Sequence, residues 1–373
     1  MIKLIHNKYF KLYRWARKNL FYSLFSTIIS LFCIYLLFIC TINFLNWAVV
    51  KADFLGITKN DCTSGGACWV FVKTHLYQFI YGFYPSTEYW RVNLAGLLLV
   101  IAVILLFYKK IPGEIKSKIA LFTLFVYPII AFCLLRGGFG LKYISTLEWG
   151  GLMLTMVIAV VGITLSFPFG TLIAIGRYSK MPIIKYSCVT FVELIRGVPL
   201  ITLLFMGSVM LPLFVPEKIN FDKLLRALII ITLFQSAYIS EVVRGGLQGI
   251  AEGQYEASKT LGFNYWQKMR LIILPQVFRI IIPGLVNTFI ALFKDTTLIS
   301  IIGLLDLLGI VQSSFQNTNW LGTDMEGLIF VCFIFWMFNF FLSSYGKSLE
   351  KKLHTQNKHA DKILTKKKEN GYG

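Results

Sequence analysis

Residues Phe21 to Val50 read FYSLFSTIISLFCIYLLFICTINFLNWAVV, thirty positions without one charged side chain. A helix crosses the hydrocarbon core of a bilayer with about 20 apolar residues, so this run is long enough to span one. Similar runs follow at Leu94–Phe107, Ile119–Leu135 and Ile329–Leu342. Of the 373 residues, 56% are apolar and only 15% charged. Soluble domains carry about 25% charged residues, and a water-soluble fold of this composition could not cover itself. Maximal apolar stretches place candidate spans at 22–48, 92–108, 119–136, 149–175, 188–214, 224–243, 284–305 and 326–346. The expected fold class is all-α, a polytopic membrane protein of about eight transmembrane helices.

An even number of crossings puts both termini on one side. Cytoplasmic connections carry the Lys/Arg excess. The termini and even-numbered loops hold 26 basic residues and the opposite loops 6, so both ends are predicted to be cytoplasmic. The net charge of +19 would suggest nucleic acid in a soluble protein, but topology accounts for it here and no nucleic acid partner is expected. A basic head (Lys3, Lys8, Lys11, Arg14, Arg17, Lys18) precedes the first span in the order of a secretory signal. The apolar core outruns the roughly 7–15 residues of a signal peptide and no small-residue cleavage site closes it, so a retained anchor is expected. The tail 347–373 carries Lys366-Lys367-Lys368 and few large apolar residues after Leu353. It is predicted to be a basic, disordered cytoplasmic segment within reach of membrane lipid.

Cys62 and Cys68 share one predicted outside loop, Asp61-Cys62-Thr63-Ser64-Gly65-Gly66-Ala67-Cys68. The Ser-Gly-Gly can turn the chain sharply enough to bring the sulfurs together, and an oxidising periplasm would allow a disulfide; a reduced pair is the alternative. Cys33, Cys40, Cys133, Cys188 and Cys332 lie in apolar spans and read as small packing residues. The histidines His6, His75, His354 and His359 have no ligand spacing, and no metal site is expected. A phosphate-cradling G-x-x-x-x-G-K-[ST] is approached only by Gly346-Lys347-Ser348, with Phe341 where the first glycine belongs. Without it, and without H-E-x-x-H or G-x-S-x-G, no residue reads as catalytic and transport is the class that remains.

The connection 244–283 is too polar for lipid and too structured in pattern for disorder. Glu252 and Glu256 fall early in a short helix expected to end near Leu261, where Gly262 supplies a stop. Asn264 can cap a second helix in which Tyr265, Met269, Ile272 and Ile273 form one apolar stripe, and Pro275 is expected to end or bend it. The result is a helix–glycine–helix elbow presenting Tyr255, Ala257, Ser258 and Leu261, either to a partner subunit or to the lipid surface.

Glu256-Ala257-Ser258-x3-Gly262-x9-Ile272-x-Leu274-Pro275 resembles the EAA loop of ABC-importer permeases, with Ser258 in place of the second alanine. The flanks resemble the polar amino acid permease branch: Phe191 to Leu200 (FVELIRGVPL), Ser236 to Gly246 (SAYISEVVRGG) and Ala291 to Leu298 (ALFKDTTL). They cover roughly 149–346, a five-helix permease core. The outside Cys62–Trp69 segment and Tyr81-Gly82-Phe83-Tyr84-Pro85 resemble the larger permease subunit of general L-amino acid importers, which makes 1–148 an extension of three spans. The resemblance implies an inner-membrane permease for L-amino acids delivered by a periplasmic amino acid-binding protein. It also implies a heterodimer with a second permease and a pair of ATPase subunits, with ATP and Mg bound there and no cofactor in this chain. It assigns Glu256, Ala257, Ser258, Leu261, Gly262 and Pro275 to coupling, with Gly262 allowing close backbone approach.

Ionisable residues in spans cost about 2.5–3.5 kcal/mol each on insertion scales and need partners or a wet path. Glu193, Arg196, Glu241, Lys294, Asp295 and Asp306 are the candidates. Structural ion pairing is one reading, with Glu193 and Arg196 spaced to pair locally. The other is a pathway for a zwitterion: Gly197-Val198-Pro199 breaks span five and offers amides to a carboxylate, Glu193, Glu241 or Asp295 receives an ammonium, and Thr296 and Thr297 lend hydroxyls or cap their own helix. A self-sufficient ion-coupled secondary transporter is the alternative function; it would bring inverted repeats, and no convincing repeat is present.

Overall fold

The computed structural model describes residues 14–108, 110–138, 140–214 and 221–370. Among them, seven helices are long and apolar enough to cross a bilayer, and a pair bent by 101°, Pro182–Gly197 with Leu200–Phe214, is so only when taken together. The chain forms two compact units, one of residues up to Thr74 with Asn317–Gly327, the other of His75–Gln316 with the chain from Leu328 onward.

In the first unit, α1 (Leu24–Leu45) begins at Ser23, which accepts a hydrogen bond from Ser26 N, and widens into a π turn over Asn46–Val50. Beyond it, Cys62 and Cys68 are joined by a disulfide, which resolves the alternative left open by the sequence. Asp61 Oδ2 accepts from Thr58 N and Ile57 N at 2.8 Å, and these hydrogen bonds hold its carboxyl below the usual carboxylate range. Glu326 closes the segment by accepting from Cys68 N at 2.8 Å. Helix α2 (Val70–Tyr81), in a stretch where no element was expected, starts in the first unit and continues in the second from His75.

The second unit holds α3 (Tyr89–Phe107), α4 (Gly113–Phe125) with α5 (Tyr127–Arg136), α6 (Gly151–Arg177), α7 (Pro182–Gly197), α8 (Leu200–Phe205) and α9 (Lys223–Gln248). It continues with α10 (Glu252–Thr260), α11 (Tyr265–Lys268), α12 (Leu274–Asp295), α13 (Leu307–Phe315) and α14 (Asp324–Asn370), whose start lies in the first unit. One apolar core gathers Trp149, Leu154 and Ile158 of the α6 region with Leu204, Ile231 and Leu292; a second gathers Ala174, Val243, Leu247, Met269, Ile273 and Val277. Helices α6 and α9 cross closely at Gly170, where a Cβ would stand 2.8 Å from the side chain of Ile239, so only glycine fits.

Several expectations need correction. Span five starts at Pro182 and not at 188, while its bend of 101° between Gly197 and Leu200 falls where Gly197-Val198-Pro199 is expected to break it. Pro199 fixes φ and lacks an N–H, which is why the ladder stops there. Span seven begins not at 284 but at Tyr265, because Pro275 neither ends nor interrupts the helix. A π turn over Met269–Ile273 widens the ladder just ahead of Pro275, where the missing N–H would otherwise break it. Residues 347–370, expected to be disordered, continue α14. The stretch from Lys347 to Asn370 holds neither Pro nor Gly and is rich in Lys, a good helix former.

Candidate functional site

The elbow is built from local hydrogen bonds. Gly262 N donates to Lys259 O at 2.9 Å and Phe263 N to Ser258 O at 3.2 Å, the paired bonds of a Schellman stop. That stop needs a left-handed residue, and Gly262 has φ +75°. Within this chain no atom lies within 4 Å of where its Cβ would be, so the backbone conformation, and no close approach inside the chain, calls for glycine. Asn264 then starts the second leg with a capping box: Gln267 N donates to Asn264 Oδ1 at 2.8 Å, and Asn264 N to Gln267 Oε1 at 3.0 Å.

Packing decides which face is offered. Met269 and Ile273 are buried against Leu247 and Val277, with Ile272 beside them, whereas Tyr265, expected in the same stripe, is exposed. Ser258 is also buried, its hydroxyl donating to Tyr255 O at 2.7 Å, and Tyr255 turns inward, its hydroxyl 3.3 Å from Leu247 O. Burial pushes the Tyr255 phenol up. Ser258 and Tyr255 therefore anchor the elbow, which corrects the expectation that they are presented. The open face carries Glu256, Ala257, Leu261 and Trp266.

A second constellation surrounds Glu241 on α9. Arg177 at the end of α6 reaches Oε1 at 2.7 Å, Arg196 on α7 reaches the same oxygen at 3.1 Å, and Arg244, one turn along α9, reaches Oε2 at 2.8 Å. Arg196 also lies over the Tyr238 ring, 5.4 Å from its centroid. The local Glu193–Arg196 pair is not formed: Glu193 is exposed and makes no salt bridge among the described residues. Three guanidiniums on one carboxylate leave a residue of positive charge. Beside it opens a cleft of about 390 Å³ lined by Arg177, Tyr178, Ser179, Lys185, Val189, Arg244 and Gln248.

The comparisons with known proteins fit this architecture. The family model of the binding-protein-dependent transport system inner membrane component matches residues 166–355. The inner membrane amino-acid ABC transporter permease protein YhdY of Escherichia coli (strain K12) is 48% identical, covering 91% of this chain and 93% of its own length. This chain belongs to that permease family. The glutamate/glutamine/aspartate/asparagine transport system permease protein BztC of Rhodobacter capsulatus is 40% identical over 77% of this chain and 79% of its own. A crystal structure of an amino acid ABC transporter with histidines is 27% identical, covering 54% of this chain and 92% of that one, with a TM-score of 0.48. The permease is a transport subunit of an amino-acid ABC importer and not an enzyme, and it is a multi-pass protein of the inner membrane.

The permease brings few of the other expected pathway residues together. Lys294 is exposed and Asp295 half-buried at the end of α12, and neither makes a salt bridge among the described residues. Thr296 and Thr297 donate to Phe293 O and Lys294 O, each at 2.9 Å, and so cap their own helix. Gly197 and Pro199 sit at the bend, where Thr202 N and Leu203 N already donate to Pro199 O. Past the bend lies an open cleft of about 510 Å³ lined by Ile201, Thr297, Leu298, Ser300, Ile301, Leu305, Gly309, Gln312, Ser313 and Gln316. Ser300, Gln312, Ser313 and Gln316 were missed because uncharged polar residues near span ends carry no sequence signal. Arg177 was missed for another reason: among loop charges it reads only as topology.

Proposed function

We propose that this permease translocates polar L-amino acids handed over by a periplasmic binding protein. It works as half of a heterodimer with a second permease subunit, on a pair of ATP-binding cassette ATPase subunits that hold the ATP and Mg. In this reading 1–148 is an extension, 149–346 the transport core and 244–283 its coupling loop, and both termini are cytoplasmic. The name of the R. capsulatus relative favours acidic and amide amino acids as the substrate class. The amide- and hydroxyl-lined cleft beyond the bend suits such solutes.

The observation that carries the proposal is mechanical. The elbow's second leg runs without a break from Tyr265 into the span ending at Ile302. Its first leg is pinned to α9 through Tyr255 and to α12 through the Gln276–Gln254 contact at 3.2 Å. A force on the Glu256, Ala257 and Leu261 face therefore moves a transmembrane rod and does not dissipate in a loose loop. Leu261 is 72% exposed, an apolar side chain suited to a cleft on another subunit. Leu261→Cys in the full assembly should cross-link to the ATPase subunit with a yield that changes when ATP binds. Absence of that cross-link in an intact, transporting assembly would refute the docking. Solute accumulation by this chain alone, without nucleotide, would refute the importer reading.

A further inference from the structure

We propose that the cleft between the ends of α6 and α9 and the start of α7 binds the headgroup phosphate of an anionic phospholipid. The cleft measures about 390 Å³, and Arg177, Lys185 and Arg244 line it with no Asp or Glu among the lining residues. Arg177 spends Nη1 on Glu241 and makes no other hydrogen bond among the described residues. Its unspent Nε and Nη2 are not enclosed, since the side chain is 12% exposed and lines the cleft. Arg244 commits Nε and Nη2 to Glu241 and Nη1 to Gln248, and so contributes charge more than free donors. Lys185 is exposed and makes no ion pair among the described residues.

Charge, depth and the neighbouring surface select the occupant. Four cations, the three of the lining and Arg196 behind them, face the single carboxylate of Glu241, which leaves three positive charges. Helices α6 and α9 end here and α7 begins here; at about half a charge each, their dipoles together offset only about half a unit. A phosphodiester brings a full negative charge and acceptor oxygens for the unspent Arg177 donors, in the forked geometry a guanidinium favours. Tyr178 and Ser179 add hydroxyls. The 27 residues of α6 span about 40 Å, close to the thickness of a bilayer with its polar headgroup regions, so Arg177 at its end lies at headgroup level. A water takes about 30 Å³ of liquid, and a cleft with room for roughly a dozen also holds a phosphate and the glycerol esterified to it. Just past Ser179, the first turns of α7 expose Met181, Ile183, Ile184 and Tyr186, Ile183 at 82%. Acyl chains cover such side chains, whereas a free anion would leave them to water. The ammonium of a zwitterionic headgroup would be repelled, so the lipid carries net negative charge. The site does not depend on the direction or cargo of transport.

The test is native mass spectrometry of the intact assembly, taken from nanodiscs of equal phosphatidylglycerol and phosphatidylethanolamine and washed with detergent. Wild type should keep one phosphatidylglycerol per copy of this chain in preference to phosphatidylethanolamine. Lys185→Gln should lower that retention about fivefold, which is ~1 kcal/mol for one basic residue at an anionic surface, and Lys185→Arg should retain it. Val189→Glu puts a carboxylate among the lining residues and should lower retention at least about tenfold. Lys185 is exposed and unpaired among the described residues, so its variants read the site even where Val189→Glu fails to assemble. Thermal unfolding of the delipidated assembly separates the sources of phosphate: phosphatidylglycerol should raise the midpoint, and inorganic phosphate should not. Equal retention of the two lipids, retention untouched by Lys185→Gln, or stabilisation by inorganic phosphate alone would overturn the proposal. So would a wild type that keeps no lipid while Lys185→Gln sheds its ATPase subunits, which would place a partner's carboxylate in the cleft.

Discussion

Replacing Gly262 separates backbone conformation from side-chain volume at the elbow. An L-residue with a Cβ held at φ +75° pays about 1–2 kcal/mol, and a β-branched one stands at the upper end because its branch crowds the flanking carbonyls. No atom of this chain lies within 4 Å of the new Cβ, so packing adds nothing to that strain. The Schellman bonds from Gly262 N and Phe263 N hold only while the strain is borne, so the fraction of chains with a closed elbow falls about 5- to 30-fold relative to the opened form. The loss stays local because Met269 and Ile273 are anchored in the second apolar core. Gly262→Val should therefore leave the unfolding midpoint of the purified assembly nearly unchanged and cut ATP-driven uptake into proteoliposomes about tenfold. Gly262→Asn, with a side chain that tolerates the left-handed region, should fall between the two. Wild-type uptake by Gly262→Val would refute the coupling assignment. Asn as damaging as Val would refute the conformational argument and point instead to a side chain striking a neighbouring subunit.

Ser258→Ala removes a hydroxyl that bonds only within its own helix and installs a better helix former, so uptake should be unchanged and stability equal or slightly higher; a large loss of uptake would mean that Ser258 reaches a partner. Glu241→Gln leaves three guanidiniums facing one another and should cost about 1–3 kcal/mol, discounted from a buried pair because the carboxylate is one-fifth exposed. Combined with Arg177→Met the loss should be less than additive in thermal unfolding, and strict additivity would contradict the cluster. Asp306 lies between the spans ending at Ile302 and beginning at Asp324, and burial pushes its carboxyl up from 3.8 to about 6. The folded chain then holds the proton more tightly than the unfolded one, so stability falls as pH rises from about 4 to 6, by at most about 3 kcal/mol. Asp306→Asn keeps an acceptor for Gly309 N and should flatten that slope in detergent; an unchanged slope would assign it elsewhere. Reducing the Cys62–Cys68 bond, which closes a sequence separation of 6, should cost the outer segment about 2 kcal/mol and speed its proteolysis, with unaltered cleavage as the contrary result.

The spans were legible because a bilayer imposes a length and a polarity that a single sequence cannot disguise. What the sequence misled on was one breaker, Pro275. Pro275 is expected to end or bend its helix, yet a proline in the first turn of a helix forfeits nothing, and the π turn before it makes that first turn available inside a longer rod. Pro199 has the same chemistry and the opposite outcome, because no such widening precedes it and the chain bends by 101°. Local sequence does not separate the two cases; the helices packed around them do. The elbow was read correctly as helix, glycine and capped helix because each signal acts over three or four residues. Its orientation was not, since Ser258 turns inward only when the neighbouring core of Leu247, Met269 and Ile273 is in place.

Glu241 shows the same difference at a candidate pathway residue. In the sequence it is a carboxylate inside a span, a natural receptor for a substrate ammonium. In the fold, Arg177 arrives from 64 residues away and Arg196 from another helix, so the carboxylate meets three cations. A net charge of two positive units in a partly buried site repels an ammonium more strongly than the lone carboxylate would attract it. With Lys185 and Arg244 lining the adjacent cleft, the field there draws anions. The carboxylate is therefore occupied by ion pairs within the fold, which argues against the reading in which Glu241 receives a substrate ammonium. The cluster ties α6, α7 and α9 together, and its charge is explained by that role.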